Sequence, residues 1–334
     1  VRYRNIVQRL VWADWENQTK EYNLPMRRPI VEINVDLDMS WLGGANNEAA
    51  TWTYTAPECQ LSRIEVIADG ENIVDLTGHE AWLLGACNRF GMPFKDLSDK
   101  TAHDTAVKAA HAPKARICIP FGEFNPLPAS RFKSLKIRFT WAGTEIIGDT
   151  ATAGDLVSAS SLIRIETVEQ DNPGSGHIRR FLRDSFTPSA TGAFDHDIAT
   201  ADEINALIVT AWNTAQGTAG ALKDTTDAYV STLQLKADFP GGPRTYIDDD
   251  WKALRYGGLS DAGLGQLDSY IIGATTPDQD DFKNQFAGML YLPFGGAGGI
   301  LDAREAKRLY LRLLILTAAK EITVVRDVLT RVAA

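Results

Sequence analysis

The sequence predicts an all-β protein made of two tandem copies of one unit, with a helical arm in front and a few short inserted helices. Three observations carry this reading. Short stretches rich in β-branched and aromatic residues alternate apolar with polar side chains, and Gly, Pro, Asn or Asp bound them. Two longer stretches, "ARICIPFGEF…FKSLKIRF" (Ala115 to Phe139) and "GMLYLPFGGA…AKRLYLRL" (Gly288 to Leu313), share one plan. Each is an apolar strand ending in Pro-Phe-Gly, a turn-rich gap, then an alternating strand with a basic residue ahead of its first Leu. Third, further blocks align in the same order. At an offset of 169, Ile64 meets Leu233, Ala68-Asp69 meets Ala237-Asp238 and Trp82 meets Trp251. The Pro-Phe-Gly pair follows at 173 and the Leu135/Leu309 pair at 174. Such slow drift is the mark of a duplicated unit.

Taken in order, residues 1–24 read as a helix, because Ile6, Val7, Leu10 and Val11 fall on one face of a 3.6-residue repeat and Pro25 and Pro29 end it. "PIVEINVDLDMSW" then alternates as a strand, followed by "TWTYT", "SRIEVIADG" and "ENIVDL". Residues 81–114 are mixed, with room for a helix or a long excursion. "ARICIPF", "SLKIRFTW" and "SLIRIETVE" come next, the last closing the first unit or opening the second. Residues 150–176 thin into Ala, Thr, Ser, Gly and Asp, which places the boundary near 170. The expected divisions are thus 1–29 as a basic amphipathic helix and arm, 30–170 as the first unit and 171–334 as the second. Within the second, "DEINALIVTAW" (Asp202 to Trp212) reads as helical, as does a stretch near Asp280 to Ala287.

Composition bounds the function. At 334 residues, with 44% hydrophobic and 23% charged residues, the chain suits a soluble globular protein of two full cores. A net charge of −9 argues against a protein that grips nucleic acid, so no direct sequence-specific nucleic-acid binding is expected. The N-terminal segment departs from the rest: Arg2, Arg4, Arg9, Lys20, Arg27 and Arg28 outnumber Asp14, Glu16 and Glu21. Cys59, Cys87 and Cys118 are dispersed and odd in number, which fits buried reduced thiols rather than a disulfide framework or zinc site. No secretory pattern opens the sequence, and the longest strongly apolar run, beginning at Leu313 to Leu316, is far too short to span a bilayer.

Little catalytic chemistry is visible, and no catalytic residue or cofactor is expected. His79, His103, His111, His177 and His196 form no metal-ligand spacing. His79 beside Glu80, and His196 between Asp195 and Asp197, read as exposed loop residues. "GGAGG" (Gly295 to Gly299) lacks the Lys and Ser/Thr of a phosphate loop and reads as a flexible turn. Asp248, Asp249 and Asp250, and Asp278, Asp280 and Asp281, are weak Ca²⁺ candidates in loop-like contexts that lack the EF-hand spacing. The most function-like stretch is the N-terminal one. Arg2, Arg4, Ile6, Arg9, Leu10, Trp12 and Trp15 are the candidates to face an anionic membrane or a protein partner, since a basic, Trp-bearing amphipathic helix suits either.

An all-β unit of this length with long, irregular connections suggests a jelly roll, an eight-stranded β-sandwich. Two in tandem, with "ICIPFG" and "LYLPFG" each followed by a Leu-centred strand ("LKIRFTW", "LYLRLLI"), resemble the double jelly-roll major capsid proteins of tailless icosahedral viruses. The likeness is to those of membrane-containing bacteriophages, of the corticovirus and lipid-containing Flavobacterium phage type, and it covers nearly the whole chain. The resemblance implies a structural protein of the virion shell, made in the host cytoplasm, whose homotrimers tile that shell over an internal membrane. It also implies partners among neighbouring trimers, penton and minor capsid proteins, with the N-terminus able to reach the membrane. The duplication then has a reason: a trimer of two-unit subunits presents six similar sides. The alternative from another class is a two-module carbohydrate-binding or glycoside-active β-sandwich, which the eight tryptophans and many carboxylates suggest. Trp82 and Trp251, at matching positions, fit a framework role better than a ligand groove.

Overall fold

Among the described residues the apolar alternation resolves into sixteen strands of five residues or more, eight before residue 171 and eight after it. The structure, a computed structural model, describes residues 2–11, 18–38, 41–42, 58–89, 95–96, 110–111, 114–142, 155–156, 162–200, 203–213, 225–262, 264, 286–294 and 301–331. The first set is β1 (Arg2–Val11), β2 (Thr19–Asn23), β3 (Ile30–Asp38), β4 (Leu61–Ala68), β5 (Glu71–Leu76), β6 (Lys114–Pro120), β7 (Leu135–Trp141) and β8 (Leu162–Gln170). The second is β9 (His177–Phe186), β10 (Gly192–Ile198), β11 (Glu203–Ala211), β12 (Val230–Phe239), β13 (Gly242–Asp250), β14 (Met289–Pro293), β15 (Arg308–Ile315) and β16 (Ile322–Arg331). Helix α1 (Gly78–Arg89) follows β5, and α2 (Trp251–Asp261) follows β13. Five two-residue strands lie at Trp41–Leu42, Lys95–Asp96, Ala110–His111, Asp155–Leu156 and Leu301–Asp302.

Each set forms a jelly roll, and the pairings of the second are those of the first moved on by eight strands. The first roll has sheets ordered β1-β8-β3-β6 and β2-β7-β4-β5; the second has β9-β16-β11-β14 and β10-β15-β12-β13. Register repeats as well. Leu135 lies opposite Ala68 and Phe139 opposite Ile64, as Leu309 lies opposite Ala237 and Leu313 opposite Leu233. A register shift falls between Val66 and Ile67, and its counterpart between Leu235 and Lys236. After each strand-ending proline the next residue rejoins the neighbouring strand: the Phe121 N–H donates to the Val31 carbonyl and the Phe294 N–H to the Asn205 carbonyl, both at 2.8 Å. The repeated motif of the sequence is thus a repeated fold.

The helices repeat too. An added Cβ on Gly85 in α1 would lie 2.9 Å from Cβ of Cys118 on β6; one on Gly258 in α2 would lie 1.9 Å from the Tyr291 carbonyl oxygen on β14. Only glycine lets each helix approach its strand so closely. This match places Trp82 and Trp251 a helical turn apart, not at equivalent positions: Trp82 is in the second turn of α1, and Trp251 is the first residue of α2. Both are nonetheless buried, as a framework role requires.

The rolls stand side by side and point the same way. Phe181 of β9 pairs in parallel with Val74 of β5, so one continuous sheet runs β14-β11-β16-β9-β5-β4-β7-β2 across both rolls. Apolar residues gather into two clusters. One fills the second roll; the other fills the first and continues through Phe181, Ala206, Ile208, Trp212 and Phe286 onto the outer face of the second roll's sheet.

Several expectations need correction. Residues 2–11 are a strand and no helix or separate arm: β1 and β2 belong to the first roll. The reason is a bulge. Ile6 lies opposite Glu166 and Gln8 opposite Ile165, so Val7 is an extra residue that shifts the alternation and imitates helical spacing. "DEINALIVTAW" misleads in the same way, since β11 has a register shift between Ile204 and Ala206 and is buried on both faces. The helix in residues 81–114 is α1, and "SLIRIETVE" forms β8, closing the first roll. The stretch near 280 lies outside the described residues up to Phe286, where a turn begins, and "GGAGG" lies outside them altogether. Cys59, Cys87 and Cys118 are buried thiols outside any disulfide.

Candidate assembly surface

Two kinds of surface bear on function: the seam between the rolls, and the edges the rolls leave open. The seam begins at α1. Thr77 and Glu80 form a capping box in which the Thr77 N–H donates to Glu80 Oε2 at 2.8 Å and the Glu80 N–H to Thr77 Oγ1 at 3.1 Å. The fully buried Glu80 carboxylate then reaches the other roll. Arg183 Nε of β9 lies 3.3 Å from Glu80 Oε2, and Thr323 Oγ1 of β16 donates to Oε1 at 2.5 Å. Burial pushes this carboxyl up, but Arg183 and the hydrogen bonds from Thr323 and Thr77 outweigh it, and its pKa lies below the usual glutamate value. Arg183 also lies 3.3 Å from Glu321.

Beside this lies a second buried pair. Arg179 of β9 forks onto Asp327 of β16, its Nε–Oδ1 arm 2.7 Å long, and its Nη1 donates to the Pro120 carbonyl of the first roll at 3.3 Å. Asn205 Nδ2 donates to Asp327 Oδ2 at 2.8 Å. Burial alone would lower the Arg179 pKa; the Asp327 charge and hydrogen bonds more than offset it and raise it. Aromatic rings complete the seam. His79 stacks on Trp82 with centroids 5.9 Å apart and meets the Trp212 ring edge-on at 6.0 Å, while Trp82 stacks on Phe286 at 5.3 Å.

Among the described residues, open edges lie at the far flanks. β1 pairs on one side with β8, and β13 on one side with β12. Arg2, Arg4, Ile6 and Arg9 of β1 are exposed, Ile6 at 61%. Arg2 is paired with Glu123, and Arg4 lies 3.9 Å from Glu166. On β13, Tyr246, Asp248, Asp249 and Asp250 are exposed, and Tyr256 of α2 is 53% exposed. A groove of about 510 Å³ runs beside β1, lined by Arg2, Arg4, Glu32, Asn88 and Glu123 among others.

The structure brings Arg2, Arg4, Ile6 and Arg9 onto one edge strand. Leu10 is on that strand, while Trp12 and Trp15 lie outside the described residues. With residues 2–11 in a sheet, the amphipathic helix on which a membrane contact was expected is absent. Asp248, Asp249 and Asp250 are on β13 and not in a loop, so neighbouring carboxylates point to opposite faces instead of converging on an ion. Asp278, Asp280 and Asp281 lie outside the described residues, among which no His/Cys/Asp/Glu group is arranged to hold a metal. His79 is fully buried in α1, its Nδ1 3.1 Å from Glu58 Oε1, and His196 is a strand residue stacked on Phe186. Neither is the exposed loop residue expected, because "GHEAW" opens a helix that the other roll covers. Trp82, Trp141, Trp212 and Trp251 are all buried, which removes them as sugar platforms. The seam was missed because its partners lie far apart in sequence, from 59 residues for Arg179 and Pro120 to 243 for Glu80 and Thr323; the local signal was Thr77-x-x-Glu80.

No family model and no curated protein matches the sequence. Solved structures do match. The major capsid protein of Sulfolobus turreted icosahedral virus superposes with a TM-score of 0.71 at 11% identity, covering 99% of this chain and 97% of that one. PBCV-1 VP54, fitted into a reconstruction of the virophage Sputnik, gives 0.56 at 12% identity, covering 98% and 94%. The Faustovirus major capsid protein gives 0.54 at 8%, covering 99% and 90%. The fold is the double jelly roll of viral major capsid proteins, over nearly the full length of each.

Proposed function

We propose that this protein is the major capsid protein of a tailless icosahedral virus, a bacteriophage whose shell encloses a membrane. The observation that carries the reading is the pairing of two topologically identical rolls, side by side and pointing the same way. A subunit of this kind offers two similar flanks, so three around an axis give a block with six near-equivalent sides, which tiles a closed shell by symmetric contacts. The likeness to three viral capsid proteins supports it. The division between the rolls is placed in residues 171–176, between β8 and β9. Function resides in interfaces and not in catalysis; the partners are two further copies, neighbouring trimers, and the penton and minor proteins that close the shell. The place of action is the virion, after synthesis in the host cytoplasm.

Native mass by light scattering at several concentrations, followed by imaging for shells, tests this. A concentration-independent trimer is the expected result. A monomer at every concentration that binds glycans on an array would overturn it in favour of the carbohydrate-binding alternative.

A further inference from the structure

The seam inside the subunit is a template for the contact between subunits. Within the chain, the outer edge of β5 and the adjoining α1 meet β9 of the following roll. The equivalents of β5 and α1 in the second roll are β13 and α2, and among the described residues β13 has a neighbour on one side only. The equivalent of β9 in the first roll is β1, which among the described residues also has no neighbour on its outer side. One half of the template is therefore exposed at each end of the subunit.

Charge repeats in sign though not residue for residue, since Arg244 stands at the position of Glu71 and Ala253 at that of Glu80. In the seam, β9 brings Arg180 and Arg183, and the β5–α1 side brings Glu71 and Glu80: Arg180 Nη2 donates to Glu71 Oε1 at 2.6 Å, and Arg183 meets Glu80. At the open ends, β1 brings exposed Arg2, Arg4 and Arg9, and β13 brings exposed Asp248, Asp249 and Asp250. Each roll is basic on its first strand and acidic where its fifth strand meets the helix. Register carries over. The residue matching Val74 is Ile247, because Val66 lies opposite Val74 as Leu235 lies opposite Ile247. The residue matching Phe181 is Arg4, because β1 pairs with β8 as β9 pairs with β16, Arg4 opposite Val168 and Phe181 opposite Asp327.

We infer that β13 of one copy adds in parallel to β1 of the next, with Ile247 beside Arg4, so that Asp248 to Asp250 lie along the edge between Arg4 and Arg9 of the neighbour. The partner is a second copy of this chain, and the inference rests on the trimeric reading above. It gives β1, with Arg2, Arg4, Ile6 and Arg9, a protein partner in place of a membrane. Tyr256 of α2 stands where α1 has the buried Leu83, one turn on from His79 and Glu80, and is buried by the same contact.

Charge reversal with rescue tests this. R4E/R9E and D248K/D249K, made separately, are each expected to raise the concentration at half-trimer at least tenfold. The four together are expected to return it to within about threefold of the parent. Thermal unfolding of the dissociated chains checks that the variants fold. As a second arm, R4C with I247C is expected to give covalent trimers on oxidation, visible on denaturing gels. A parent trimer whose stability neither reversal alters, with no covalent product from the cysteine pair, would overturn the strand pairing and leave the trimeric tile standing. A parent that is monomeric at every concentration would overturn the tile and the pairing together.

Discussion

β3 and β11 hold the same place in their rolls, yet their outward side chains are opposite in character. Glu32 lies opposite Pro120 and Asn34 opposite Cys118; the matching positions are Ala206 opposite Pro293 and Ile208 opposite Tyr291. Asp36, held by Arg116 at 2.5 Å, has Thr210 as its counterpart. The inward residues change little: Ile33, Val35 and Leu37 against Leu207, Val209 and Ala211, all buried. α1 and α2 differ likewise. His79, Glu80 and Leu83 are buried, whereas Lys252, Ala253 and Tyr256 are exposed. Inward residues answer to the fold, which both rolls share. Outward residues answer to the neighbour. A face covered within the chain is dry, apolar except for the ion pairs of Glu80 and Asp327; its twin, where Glu32 and Asp36 stay partly exposed beside the buried Asn34, keeps charges that hold a free subunit in solution.

The largest break in this comparison is expected at the buried ion pair. D327A leaves Arg179 buried without its carboxylate and is expected to cost about 3–5 kcal/mol by urea unfolding. D36A removes a carboxylate from a half-exposed pair on the first roll's outer face and is expected to cost under about 1 kcal/mol. Equal losses would mean that the two faces are equally dry, and the contrast would fail. Next come the helices. L83A is expected to cost about 2–5 kcal/mol in the folded chain. Y256A, at the matching position of α2, is expected to stay within about 0.5 kcal/mol in the dissociated subunit. A large loss from Y256A alone would show that α2 is already covered within one chain.

How far the sequence displayed this architecture varies by element. The duplication was legible because Pro-Phe-Gly, the Leu-centred strands and the Ala-Asp pair are local, and all three returned in the same order. The "IADGE" hairpin carried a local signal that the reading left unused: Asp69 and Gly70 both take positive φ in a two-residue connection. β1 and β11 were not legible, because a single bulged residue breaks the period-two pattern, and β11 is apolar on both faces where periodicity loses its meaning. The seam was hidden for another reason: Glu80 meets Thr323, and Arg179 meets Asp327, across sequence separations that no local pattern encodes. The opposing charges of β1 and β13 were in plain view as Arg2, Arg4, Arg9 and Asp248 to Asp250. They could not be read as a pair until β5 and β9 showed that such strands meet.

The smallest expected effect sharpens the account of the seam by pH. Glu80 has a folded pKa below its unfolded value, so its contribution is fully present above the ordinary glutamate range near 4.5 and is lost as pH falls through the folded value. E80Q keeps the capping box, because glutamine serves that role as glutamate does, but it gives Arg183 no charge to meet. The variant is therefore expected to be less stable than the parent at pH 7, by less than D327A because no ion is stranded without acceptors: Glu321 still lies 3.3 Å from Arg183. As pH is lowered below 4.5 the parent alone loses this contribution, so the two unfolding curves are expected to converge. A difference that stays constant down to pH 3 would mean that Glu80 acts through its shape and hydrogen bonds alone. The seam would then be held by packing around His79, Trp82 and Phe286, and the repeated charge polarity would be a matter of the open edges only.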